Sequence, residues 1–152
     1  MKPFLALSVF YFISLISCSK SPQPTLKAKL SNETPHGITY SPDGKSIAAG
    51  VWGAVRIWDL ATQQATDYPT KLKNETPRRV SFSPDGRWIA AGTFRGVRVW
   101  NVQTKSYHDY DLPLGNATPR RVHFSPDGRT LAAAAWGGVM TWSLVDSTKV
   151  GE

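Results

Sequence analysis

Cysteine is nearly absent: Cys18 is the chain's only one in 152 residues, so no intramolecular disulfide can form and nothing after it offers a thiol nucleophile. Helix signals are missing too, with no apolar stripe at about 3.6-residue spacing. The longest apolar run, Phe4 to Ile16, contains two serines and is only thirteen residues long. It is too short to span a bilayer core of about 30 Å at about 1.5 Å per residue. No Gly-x-Ser-x-Gly elbow, phosphate-binding Gly loop or metal-ligand spacing occurs, so neither a cofactor nor a metal is expected. What the chain does have is Gly, Pro and short Val/Ile/Trp runs, within a hydrophobic content of 41%. That composition reads as one packed all-β domain.

The chain repeats itself. Asn74 to Val102 has counterparts beginning at Asn32 and Asn116, a spacing of 42 residues each time. Pro42, Asp43 and Gly44 recur as Pro84, Asp85 and Gly86 and as Pro126, Asp127 and Gly128; Trp58 recurs as Trp100 and Trp142. A fixed period of this length means stacked supersecondary units. Each unit opens on Asn-x-Thr-Pro, read as a turn. A short strand follows (Gly37 to Tyr40, Arg79 to Phe82, Arg121 to Phe124), closed by the Ser-Pro-Asp-Gly hairpin turn. The turn aspartates are read as structural. A second strand (Ile47 to Gly50, Ile89 to Gly92, Leu131 to Ala134) carries side chains so small that another sheet must approach closely. The third ends on the repeated Trp (Val55 to Trp58, Val97 to Trp100, Val139 to Trp142). A fourth strand would begin at Ala65 or Tyr107 and end at Leu72 to Asn74 or Leu114 to Asn116. The three histidines, His36, His108 and His123, fall at different phases of the repeat, so the repeat does not assemble them into a catalytic group.

Four short antiparallel strands in 42 residues match one propeller blade. Trp58-Asp59 is a literal Trp-Asp pair, and Trp100-Asn101 and Trp142-Ser143 are degenerate versions. The units therefore resemble WD-repeat β-propeller blades, and the Ser-Pro-Asp-Gly turns are also similar to repeats of the Tol-system periplasmic propeller. The resemblance implies an all-β fold of three four-stranded antiparallel blades, a partial propeller. There are departures. The family's Gly-His pair before the first strand is missing, the aspartate expected six residues before Trp is replaced by Trp52, Phe94 and Trp136, and the second-strand Ser/Thr is Ala or Gly. The family's His-Ser/Thr-Asp-Trp hydrogen-bond network cannot form, so something else must tie loops to strands.

At the N-terminus, Lys2 and the apolar run fit a signal peptide, and Leu15-Ile16-Ser17-Cys18 resembles the lipobox of bacterial lipoproteins. That resemblance implies cleavage before Cys18, lipidation of Cys18 and export to the bacterial cell envelope, with the periplasmic side of the outer membrane favoured by Ser19. The expected organisation is a signal peptide over 1–17, a lipidated tether over 18–23 and blades over 24–149. Within the blades, 24–31 is the fourth strand of a split blade, and the repeats cover 32–73, 74–115 and 116–149. The formal charge is +7; losing Lys2 leaves an excess that favours anionic partners without naming one. A lipid-anchored exported protein would seldom meet nucleic acid.

Three blades cannot close a ring, since propellers have typically about 4–8. A head-to-tail homodimer of six blades is expected, each N-terminal strand completing the other chain's last blade. Assembly with other propeller chains, or a truncated fragment of a longer propeller, are the alternatives. By the family resemblance, the loop into the first strand and the loop between second and third strands share one face. His36, Arg78, Arg79, Arg120 and Arg121 would then lie beside Trp52, Phe94, Arg95 and Trp136, as cation–π pairs. Two readings stay open: a ring binding an anionic or peptide ligand, or pairs that lock loops in place of the lost network. The function expected is a non-enzymatic protein–protein interaction scaffold.

Overall fold

The computed structural model describes residues 34–113 and 118–144. The expected signal peptide and tether, Cys18 and the expected strand at 24–31 lie outside the described residues. Those described form eleven strands and no helix. The first sheet runs in the order β1 (His36–Tyr40), β2 (Ser46–Val51), β3 (Ala54–Asp59), β4 (Ala65–Pro69). The second repeats it with β5 (Val80–Phe82), β6 (Trp88–Thr93), β7 (Gly96–Asn101) and β8 (Tyr107–Asp111). The third holds β9 (Arg121–Phe124), β10 (Thr130–Ala135) and β11 (Gly138–Ser143), with β11 at an edge. All neighbouring strands are antiparallel. These sheets are blades of a partial β-propeller.

The repeat fixes the register. Ile47 faces Trp58, Ile89 faces Trp100 and Leu131 faces Trp142, the same cross-strand pair in each sheet. Between the first and second strands, Gly44 N donates to the Ser41 carbonyl at 2.9 Å, with identical bonds from Gly86 and Gly128. The three glycines have φ near +70°, where a side chain is strained. The Ser hydroxyl accepts from the backbone N–H that starts the next strand (Ser46, Trp88, Thr130) and donates to the turn aspartate. One tetrapeptide thus closes the hairpin with side chain and backbone together.

The core lies between sheets. Ala48, Val55, Ile57 and Tyr68 of the first meet Val80, Ile89, Ala91 and Trp100 of the second. Ala90, Val97 and Val99 on the opposite face of the second meet Val122, Leu131 and Ala133 of the third. The middle sheet is buried on both faces, so burial in β6 and β7 runs unbroken through Ile89–Thr93 and Gly96–Trp100 and does not alternate with exposure. Close approach explains the small second-strand residues: a Cβ on Gly50 would overlap the Pro77 carbonyl, and one on Gly92 the Pro119 carbonyl. The fourth strands are shorter than the sequence suggests, ending at Pro69 and Asp111. Beyond Pro69 the chain turns into a loop, in which Thr70 N bonds to Gly53 O and the Thr70 hydroxyl to Leu72 O.

Candidate functional site

The register puts the β2–β3, β6–β7 and β10–β11 turns at the same end of the sheets as the starts of β1, β5 and β9. The loops from one sheet to the next cross this end as well, and β1, β5 and β9 are neighbours from sheet to sheet. All the residues expected on a binding face therefore occupy one end. Trp52 and Trp136 sit at hairpin tips, 61% and 84% exposed. His36, Arg78, Arg79, Arg120 and Arg121 are exposed and Phe94 is half-buried.

The expected stacking of the loop arginines on these aromatics is not the arrangement found. The guanidinium over Phe94 belongs to Arg95, its neighbour in the two-residue turn, at 5.3 Å. The backbone carbonyls of Pro77 and Pro119 occupy the ends of β2 and β6, where glycine makes room for them. That leaves the arginines facing solvent. The guanidinium groups of Arg78, Arg79, Arg120 and Arg121 make no hydrogen bond or ion pair with a described residue.

The loop is tied by a residue that sequence reasoning missed, Glu75. Its carboxylate accepts from Leu72 N at 2.9 Å within the loop and from Phe94 N at 2.6 Å at the next turn. Its backbone carbonyl accepts from Gly53 N at 2.7 Å. One residue, through side chain and backbone together, thereby connects the turns of two blades, the task left vacant by the absent His-Ser/Thr-Asp-Trp network. The sequence signal was slight: Glu recurs at position 33, but position 117 is Ala.

Midway along the sheets lies a second unanticipated set. Arg98 grips Asp109 through two parallel bonds, Nε to Oδ1 at 2.6 Å and Nη2 to Oδ2 at 2.7 Å, and its guanidinium lies 3.8 Å over the Tyr107 ring. Arg56 holds Asp67 in the same way in the first sheet. Bonding to Arg98 lowers the Asp109 pKa, outweighing burial, and bonding to Asp109 raises that of Arg98.

Charge is therefore distributed unevenly. Mid-sheet, the two arginines are matched by two aspartates. At the Ser-Pro-Asp-Gly end, Lys45, Arg87, Lys105 and Arg129 face Asp43, Asp59, Asp85 and Asp127. At the other end Lys71, Lys73, Arg78, Arg79, Arg95, Arg120 and Arg121 stand against Glu75 and Asp111 alone. The whole positive excess of the described residues lies at this one end. Among them, no three His, Cys, Asp or Glu side chains form a group that could hold a metal.

The turn aspartates act on stability. The Ser41 and Ser125 hydroxyls, then the Lys45 and Arg129 backbone N–H groups, lower the Asp43 and Asp127 pKa values. Burial pushes Asp85 up, but the Ser83 hydroxyl and the Arg87 N–H and charge outweigh it. A carboxyl with a lowered folded pKa stabilises the fold above the unfolded value of 3.8, and that stabilisation is lost as pH falls through the folded value. The urea midpoint should accordingly drop from about pH 5 to about pH 2. Asp43→Asn/Asp85→Asn/Asp127→Asn should flatten the drop; an unchanged profile would deny these turns the role.

The WD40 family model (WD domain, G-beta repeat) matches residues 20–59 and 72–101. No curated protein matches the sequence significantly. Among solved structures, hydrazine synthase from Kuenenia stuttgartiensis is similar at 24% identity with a TM-score of 0.62, over 72% of this chain and 32% of that one. The chain thus spans about a third of that neighbour's length, and the likeness is one of fold.

Proposed function

We propose that the protein is a non-catalytic interaction scaffold, anchored to the cell envelope through lipid on Cys18, whose blades close into a ring with a second copy. WD40 repeat propellers generally serve as such scaffolds, and the matched repeats carry that part of the reading. Ring closure rests on the two open sheet faces. On the first sheet, Ile38 and Tyr40 are 70% and 66% exposed. Their counterparts Val80, Phe82, Val122 and Phe124 all pack on a preceding sheet. On the third, Val139 is 70% exposed, whereas Val55 and Val97 at the same place are fully buried against a following sheet. One open face is thus the complement of the other, which is the geometry of a head-to-tail contact. Among the described residues no strand lies on the outer side of β11, and the segment 24–31 of the second copy would pair there.

The chain beginning at residue 18, with Cys18→Ser, should have twice the chain mass in light scattering. Ile38→Asp or Val139→Asp should each reduce it to the single-chain mass. A wild-type monomer at tens of micromolar would overturn ring closure and leave the scaffold reading to stand on the repeats. Incorporation of labelled palmitate into wild type, lost in Cys18→Ala, tests the anchor separately.

A further inference from the structure

The end that carries the whole positive excess also carries the most exposed aromatic side chain of the described chain, and the two facts bear on one another. The four guanidiniums of Arg78, Arg79, Arg120 and Arg121 lie at the starts of adjacent inner strands and have no internal partner among the described residues. Of the two acids at this end, Glu75 has both carboxylate oxygens bonded to backbone N–H groups. Asp111 ends β8, the outermost strand of its sheet, away from the inner strands. Trp52 and Trp136 project from two-residue turns at this same end.

We infer that this end docks on an anionic lipid surface, with the arginines against headgroup phosphates and the two indoles at the headgroup level. Guanidinium forms paired bonds to phosphate oxygens, and exposed tryptophan partitions to the membrane–water interface because its ring is apolar and its N–H polar. A peptide partner would call for a concave seat. The indoles instead stand out at hairpin tips, Trp52 61% and Trp136 84% exposed. Docking does not rest on ring closure; two chains related by rotation about the propeller axis would present both such ends on one side.

The test is partition of the full chain, carrying Cys18→Ser, between buffer and vesicles of phosphatidylcholine alone or mixed with phosphatidylglycerol. The readout is the ratio of the two partition coefficients, in which the apolar leader cancels. A basic residue near an anionic surface is worth about fivefold in partition. Arg78→Gln/Arg79→Gln/Arg120→Gln/Arg121→Gln should therefore cut the ratio by about five hundredfold at low salt. Lys45→Gln/Arg87→Gln/Lys105→Gln/Arg129→Gln, which changes the net charge equally at the other end, should reduce it far less. Trp52→Ser/Trp136→Ser should weaken binding to both vesicle types. All exchanged side chains are exposed, and an unchanged near-ultraviolet dichroism spectrum verifies the fold. Equal losses in the two charge variants, or no preference for anionic vesicles in the wild type, would overturn the inference. So would inorganic phosphate or poly-glutamate displacing the protein from vesicles at stoichiometric concentration, by assigning the arginines to a small anion or an acidic polypeptide.

Discussion

Asp109→Ala is expected to lower the free energy of unfolding by about 3 kcal/mol, the low end of the range for removing one member of a buried ion pair. The cost comes from what remains: the Arg98 side chain is 8% exposed, and without the carboxylate its charge is left poorly solvated. Asp109 itself is 32% exposed, which lets solvent into the vacated place and keeps the loss at that low end. Removing both charges should be far milder. In the third sheet the Arg98 position is Met140, so Arg98→Met/Asp109→Val copies an apolar solution already used there and should recover most of the loss. The related pair Arg56–Asp67, with side chains 23% and 47% exposed, should cost less than about 1 kcal/mol on Asp67→Ala. Urea titration by tryptophan fluorescence distinguishes these three outcomes. Equal costs for Asp109→Ala and Asp67→Ala would show that burial does not govern the pair.

The same pair shows what a sequence discloses and what it conceals. The period, the strand positions and the Ser-Pro-Asp-Gly turns were legible because each depends on a backbone preference that one residue type satisfies: Pro at the turn's second place, Gly at positive φ, apolar residues facing a neighbouring sheet. Close packing of the sheets was legible from Ala48, Ala49, Ala90 and Ala91 for a similar reason, since small side chains in a strand have no other cause of equal strength. Arg98 and Asp109 escaped notice because they lie on different strands of one sheet, and only the β7–β8 register makes them neighbours. The signal was present, as Arg56 and Asp67 repeat the same separation and the third copy breaks it with Met. Glu75 was concealed more deeply. Its carboxylate reaches the turn of the next blade, and no local preference of a loop residue announces a contact nineteen positions away. The expected arginines and aromatics share one end of the sheets, but the loop arginines do not stack on those rings, because the Pro77 and Pro119 carbonyls take the places beside Gly50 and Gly92. What sequence alone could not weigh was charge: a modest net excess becomes a directed one only when the strand ends sort it.

Trp100→Ala should be the costliest single substitution, about 4 kcal/mol, and it tests whether the blades form one cooperative body. Trp100 is 1% exposed, belongs to β7 of the second sheet, and donates its indole N–H to the Pro69 carbonyl of the first at 3.1 Å. Pro69 O also receives Arg98 Nη1 at 3.4 Å, and Tyr68 beside it donates its hydroxyl to Val102 O at 2.8 Å. The seam between these sheets therefore combines apolar contact with hydrogen bonds running both ways across it. Trp100→Phe keeps most of the ring's contact and removes one donor from a carbonyl with a second, so it should cost only about 1–2 kcal/mol. Trp142 occupies the same register in the third sheet but is only half-buried; Trp142→Ala should cost about half as much as Trp100→Ala. In stacked repeats, stability is a sum of unit terms and nearest-neighbour interface terms. If the seam couples the first two sheets strongly, Trp100→Ala lowers the urea midpoint and leaves a single transition with the wild-type slope. Were the blades to melt separately, the same substitution would split the transition in two, with the later step unmoved. A single steep transition would mean that the Trp repeated in every unit contributes mainly by joining a blade to its neighbour.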